Sequence, residues 1–287
     1  MFGIRDRLQG EVHKLVGFGS GVVDLDNPRG DPGLFGPGSV TWKVHGDFTS
    51  MMIGGISALL LQMLHPGALA GVWDHSDFRR DMVGRLKGTA QFISGTTYAS
   101  VGEATRLIER VQRIHDRVHG TLPDGTPYSA NDPALLTWVH VAEVKAFLDA
   151  YLRYRDPALP VAEQDRYFRE YALVAQRLGA LDVPQSRAEV EAYLQSMRPA
   201  LRYDERTRQV AHALLSQPAP NALLGPFREV AMDAGIDLLP VWAARMHGFE
   251  MSEIRRQAIR AGVSGVGTVT RWAMRDGSAA RARRRVA

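Results

Sequence analysis

Cysteine is absent from all 287 residues. That absence excludes disulfides, zinc–thiolate centres, iron–sulfur clusters and every other thiolate-held metal, so a metal here must sit on His, carboxylate or another nitrogen or oxygen donor. Glutamate is missing from Val12 to Gly102, and Glu-x-x-His pairs are absent from the central helices, which argues against a carboxylate-rich di-metal centre. No run reaches the roughly 18–20 apolar residues of a membrane span. The longest, Met51–Leu64, is interrupted by Gly54 and Gly55. The opening segment MFGIRDRLQGEVHKLVG lacks a long apolar core and a small-residue cleavage site. It does not read as a secretory signal, and a soluble, cytoplasmic protein is the expectation. Convincing period-two alternation is missing as well, apart from a short piece near Val40–Val44. There is no internal repeat, no phosphate-cradling glycine loop and no Gly-x-Ser-x-Gly elbow.

The formal net charge is +4, and the terminal run RARRR alone holds four arginines. The basic balance is therefore local. No stripe of basic residues interleaved with aromatics follows from it, so no nucleic-acid partner is expected. Apolar residues make up 45% of the chain and charged residues 23%, enough for a sizeable core in one domain.

What is present is helical periodicity. Residues 1–16 read as a short amphipathic helix, and residues 17–39 as Gly/Pro/Asp-rich loop. Asp47 or Thr49 can cap a helix reaching Leu64 that is apolar nearly all round. Further helices are expected at 66–73, 77–98 and 103–120, the last stopped by Gly120 and Pro123. Asp132-Pro133 is a strong start for a helix to Tyr154, with the capping Asp followed by Pro at the first position. Others follow near 162–178, 186–194, 203–215, 226–233, 240–247 and 252–261, with a further turn near 268–275. The fold class is all-α, a single multi-helix globular bundle. Residues 1–34 form an N-terminal helix and loop, 35–277 the main helical domain, and 278–287 a basic flexible tail that should be dispensable for folding.

Candidate chemistry centres on histidine. His115 falls on the apolar stripe Ala104, Leu107, Ile108, Val111, Ile114, His115, Val118. An imidazole there either satisfies a core partner or ligates a metal. His119, four residues on, shares that helical face, and His140 faces inward on the helix 133–154. His65 and His75 sit in helix-end and helix-start patterns and read as structural. Arg85 and Thr89 are one turn apart on one face. They can hold an anion or polarise a ligand. Otherwise Arg85 pairs with a surface carboxylate such as Asp81 and Thr89 bonds back to its own helix.

The ordered segments Leu59-Leu60-Leu61-Gln62-x-x-His65-Pro66, Gly71-Val72-x-x-His75-Ser76-x-Phe78, Gly84-Arg85-Leu86-x-x-Thr89, His115-x-x-Val118-x-Gly120 and Asp132-Pro133-x-Leu135-Leu136-x-Trp138-Val139-His140 resemble the MpaB/latex-clearing-protein (rubber oxygenase) family. So do Ser186-Arg187-Ala188-Glu189-Val190, and Leu239-Pro240 with Arg245-x-x-Gly248. The resemblance covers roughly residues 35–250. It implies a helical bundle enclosing a buried haem b and oxygenase activity. By position His115 matches the proximal iron ligand, Arg85 and Thr89 match the distal pair, and His119 and His140 are neighbours of the cofactor. Two positions depart from the pattern. Gly88 stands where rubber-cleaving members carry a lysine directly before the threonine, and no glutamate lies between Val12 and the arginine where those members carry one. Together with the missing secretion signal, this points from polymer to a small apolar substrate, isoprenoid-like, used with dioxygen. A haem-binding sensor or carrier without turnover is the alternative.

Overall fold

The computed structural model describes residue 10 and residues 23–219, 225–274 and 276–287. The expected helix over residues 1–16 lies, but for residue 10, outside them. The described chain is all-α apart from one two-stranded hairpin. Helix α1 (Val40–His45) leads to α2 (Phe48–Gln62), α3 (Pro66–His75), α4 (Phe78–Tyr98) and α5 (Val101–His115). Strands β1 (His119–Thr121) and β2 (Pro127–Ser129) follow, paired antiparallel with His119 opposite Ser129. Then come α6 (Pro133–Tyr154), α7 (Val161–Leu178), α8 (Arg187–Met197), α9 (Glu205–Leu215), α10 (Gly225–Leu238), α11 (Val241–Met246), α12 (Glu253–Ala273) and α13 (Ser278–Val286). No single helix is long and apolar enough to cross a membrane among the described residues.

The helix starts follow from short polar side chains that accept the otherwise unpaired first N–H groups. Asp47 accepts from Ser50 N, Ser100 from Glu103 N, and Asp132 from both Ala134 N and Leu135 N. His65 takes the same role for α3, its ring Nδ1 accepting from Gly67 N at 3.2 Å ahead of Pro66. Asp81 departs from helical geometry (φ −141°, ψ 65°), and its carboxylate accepts from Gly84 N at 2.7 Å. In effect it caps the long second piece of α4.

The core is built on α2 and α6. Ile53, Ile56, Leu60 and Leu61 of α2 are buried, each contributing about 1.5–3 kcal/mol of transfer free energy. They meet Trp138, Val141, Phe147 and Leu148 of α6. The two helices approach at backbone level. A Cβ at Gly54 would stand 2.9 Å from both the Ala146 carbonyl oxygen and the Phe147 ring. At the other end the Gln62 amide donates to the Val139 carbonyl, while the Trp138 indole donates to the Gln62 carbonyl. Helix α10 closes on the far side of α2, where Gly235 leaves room for Ile56. Helix α12 is tied on by charge: Arg271 meets Asp47 at 2.6 Å, and Arg256 and Arg260 join Arg153 on the fully buried Asp237 carboxylate.

Four sequence expectations are corrected. The Val40–Val44 piece is helix, started by Ser39. The helix of His115 ends at that residue instead of reaching Gly120, because Val118–Ser129 turns back as a hairpin whose Ala130 N–H also binds the Val118 carbonyl. The two pieces expected at 252–261 and 268–275 are one helix of 21 residues. The basic tail is no tail: α13 buries Ala282 and Arg285 against Leu25, Trp42, Tyr98 and Ala99. Arg285 Nη1 donates to the Leu25 carbonyl and Nε to the Asp31 carbonyl, both at 2.9 Å, while Gly30 N–H binds the Arg285 carbonyl. The repulsion within the run is offset by partners from elsewhere in the chain. Here Arg285 turns inward to unpaired carbonyls, and Arg281 and Arg284 pair with Asp26 and Asp276.

Two variants probe this framework. Gly54→Val should cost about 2–3 kcal/mol, because the obstructing atoms include a backbone carbonyl that cannot give way. Arg285→Ala should cost about 2–3 kcal/mol by leaving buried carbonyls without their charged donor. Urea denaturation midpoints at constant slope measure both. An unchanged midpoint for Arg285→Ala would restore the mobile-tail reading.

Candidate functional site

Helices α4 and α5 form an antiparallel hairpin joined by Ala99 and Ser100, and they touch closely near that turn, where Leu107 lies over Gly95. Their other ends behave differently. Between buried Met82 and buried Ile93, none of residues 83–92 is buried, although Leu86 and Phe92 belong to the inner stripe. On α5 the stripe is buried at Ala104, Leu107 and Ile108, yet none of residues 111–118 is. Leu86 and Phe92 pack against the core while keeping partial exposure. Arg85, Thr89 and His115 all lie along this less buried end of the hairpin.

His115 is the last residue of α5. Its Nδ1 is buried and makes no close hydrogen bond. Burial lowers the imidazole pKa, opposed by the charge of Asp116 and by hydrogen bonding with the Asn131 side chain, the polar group nearest the ring. Asn131 itself gives its amide to Asp116 at 2.8 Å, while its Oδ1 is buried without a partner. The ring is thus neutral at pH 7, with Asn131 Oδ1 the polar atom available beside it. Arg85 is half-buried, and desolvation alone lowers its pKa. No carboxylate pairs with it among the described residues, since Asp81 is engaged in capping α4. Thr89, expected to point inward, is exposed, and its hydroxyl donates to the Arg85 carbonyl at 3.3 Å.

His119 and His140 do not join His115. His119 is exposed on β1, because the helix that would have kept it one turn above His115 has already ended. His140 is buried in α6, stacked on Tyr171 at 5.9 Å, with Nε2 unpartnered. Burial lowers its pKa to about 4. It belongs to a second polar group that sequence reading missed. His45 of α1 has Nδ1 2.8 Å from Thr97 Oγ1 and Nε2 2.8 Å from Tyr167 OH. Burial and nearby His140 lower it to about 3, so the neutral ring donates to one hydroxyl and accepts from the other. Thr96 Oγ1 lies 3.3 Å from Tyr171 OH. Glu143, one turn beyond His140, is raised by burial to about 7. The signal was legible: an acid set among Val141, Ala142 and Val144, three residues after an inward histidine. His65 and His75 are structural as expected, the latter meeting Tyr128 OH at 3.2 Å.

Among the described residues no group of three or more His, Asp or Glu could hold a metal by itself. The described chain is therefore an all-α domain with a neutral histidine and an arginine without a carboxylate partner along the α4–α5 hairpin, and a separate buried group of acid and imidazole side chains on α6 and α1. It belongs to the family described as ER-bound oxygenase mpaB/B'/rubber oxygenase, catalytic domain, which matches residues 42–272. No curated protein and no solved structure gives a significant match. The family is one of oxygenases, consistent with an oxidoreductase that uses a substrate and oxygen.

The buried imidazoles set an acid limit on stability. His45 and His140 take up protons in the unfolded chain below its ordinary histidine pKa near 6.5 but not in the folded one. Their contribution is complete above that value and is lost as pH falls toward 4. Glu143 acts oppositely, its contribution fading as pH rises through about 7. His140→Gln should therefore lose about 1–2 kcal/mol less than the parent between neutral pH and about pH 5. Denaturation midpoints across that range test the difference.

Proposed function

We propose that this protein is a haem b-dependent oxygenase of a small apolar substrate, with His115 as the iron's protein ligand. The observation that carries the reading is the buried Nδ1 of a neutral His115 at the end of α5, which makes no close hydrogen bond and has only the Asn131 side chain beside it. Neutral imidazole is the ligating form, and a porphyrin-held iron asks for only one protein nitrogen on its proximal side. The residues present fit such a group in a second respect. Arg85 is a desolvated cation with no carboxylate partner, suited to a propionate or to a polarised oxygen. When bound, haem supplies the one-electron and dioxygen chemistry that no side chain here provides.

The chain's own residues do the rest. Arg85 binds and orients negative charge in a site where desolvation strengthens its field. Thr89, bonded to the Arg85 carbonyl, holds the helix that presents the arginine. Leu86 and Phe92 of α4 and Val139 of α6 are partly buried apolar side chains that would receive an apolar substrate and exclude water. Gly88 is exposed on α4, and nothing lies within 4 Å of where a Cβ would stand, so this position would supply no side-chain ligand to a bound haem.

Replacing His115 by Ala should remove most haem, whereas His119→Ala and His140→Ala should retain it, His119 being exposed and His140 enclosed by α7. Arg85→Ala should lower oxygenase turnover more than it lowers haem content. Pyridine haemochromogen quantification on protein from haem-replete cells, with dioxygen uptake in parallel, reads each outcome. A His140→Ala variant that empties the site while His115→Ala leaves it full would overturn the ligand assignment.

A further inference from the structure

A cleft of about 440 Å³, the size of a small-molecule site, lies between the first turn of α4 and helix α9. It stands apart from the candidate site. Arg79, on its wall, precedes Arg85 by six residues, and the break in α4 at Asp81 falls between them. Among the described residues no acid lines the cleft, whereas Arg79, Arg208 and His212 do. The two arginines are not equivalent. Arg208 is spent: its Nε and Nη2 grip the two Glu205 oxygens at 2.7 and 2.6 Å. Arg79 has no carboxylate partner among the described residues, because Asp77 pairs with Arg80 at 2.8 Å and Asp81 caps α4. Its guanidinium lies instead over two rings, 4.0 Å from the centre of Trp73 and 4.5 Å from that of Phe78. Stacking fixes the plane of the fork and leaves its N–H edge for another acceptor.

The α9 wall has the opposite polarity. Gln209 Nε2 donates to the Glu205 carboxylate at 2.9 Å, and Gln217 Nε2 donates to the Ala213 carbonyl at 2.8 Å. Carboxylate and carbonyl oxygens only accept, so both amide nitrogens are fixed and each amide has its oxygen left over. Ser216 and Gln217 also lie at the C-terminal end of α9, where the helix carries partial negative charge. The cleft therefore has one unpaired full positive charge on the α4 wall. On the α9 wall it has acceptors and no full negative charge. An ammonium placed against the α9 wall would lack a carboxylate, whereas a hydroxyl asks only for an acceptor.

We propose that this cleft binds a small hydroxycarboxylate, its carboxylate forked on Arg79 and its hydroxyl donating to the amide oxygens of Gln209 and Gln217. A forked guanidinium matches the planar carboxylate with two parallel N–H bonds, and a single unpaired cation calls for a single negative charge. The ligand bridges the first turn of α4 to α9. Its binding requires neither haem nor His115, so it stands whether or not the oxygenase reading does.

The test is a ligand-observed NMR titration of the full-length chain, at constant ionic strength, with 2-hydroxybutanoate, butanoate, 2-aminobutanoate, 1,2-butanediol and inorganic phosphate. The hydroxy acid should saturate one site. Butanoate should bind about fivefold more weakly for want of the hydroxyl, and the diol about tenfold more weakly for want of the charge. Arg79→Gln should weaken 2-hydroxybutanoate about tenfold or more, and Arg79→Lys should weaken it less, since the charge stays while the fork and the stacking go. The double variant Gln209→Leu, Gln217→Leu should bring the hydroxy acid down to the level of butanoate and leave butanoate within about twofold. Arg79 is exposed, so its variants should keep the parent's urea midpoint, and they carry the test even should the double variant fail to fold. No saturable binding of the hydroxy acid, or binding indifferent to Arg79→Gln, overturns the site. Tighter binding of 2-aminobutanoate overturns the hydroxyl assignment by making the α9 wall a cation site. Tighter, competitive binding of phosphate overturns the carboxylate assignment.

Discussion

Everything in this fold hangs on how closely α2 and α6 can approach. Gly54 lets the two helices meet at backbone level against Ala146 and Phe147. That contact fixes α6 as the central post, and α6 is the element that carries His140 and Glu143. The amide and indole donors of Gln62 and Trp138 pin its register at the other end. A side chain at position 54 would push the post outward by the width of a methyl group or more, and the polar groups on its other face would lose their partners on α7.

Around that post the molecule divides into a tight half and a loose one. On the tight side α10 and α12 are clamped by Asp237 and Asp47, each satisfied by arginines from other helices. A buried carboxylate is tolerable only with such partners. On the looser side the α4–α5 hairpin is buried at Phe78, Met82 and near its turn but only partly buried in between, at Leu86 and Phe92. Arg85 and His115 are left there with unmet polar capacity. Unmet capacity is a liability in a purely structural element and an asset in one that receives a ligand.

Much of the fold was legible from residues alone. Asp47, Asp132-Pro133, Ser186 and Ser252 mark helix starts because local N–H groups need acceptors, whatever the tertiary context. The inward placement of His140 follows from spacing with Leu136 and Phe147. The helical pattern runs five residues past His115 because Asp116, Arg117 and Val118 continue the amphipathic spacing, while the turn to β1 is driven by pairing with residues six to ten positions ahead. The arginine run was misjudged for a related reason. Its charge is local, whereas the carbonyls that take Arg285 belong to Leu25 and Asp31, over 250 residues away.

The sequence by itself determined the helical class, most caps, the absence of thiolate chemistry and the short list of histidines and arginine worth weighing. Those properties depend on residue identity and on spacing within one or two turns. Only the tertiary structure decided which candidates meet. It separated His119 from His115, turned Thr89 outward, sealed His140 against Tyr171 and desolvated Glu143. Burial and the placement of partners on other helices govern pKa and availability, and neither is a property of any single segment of the chain.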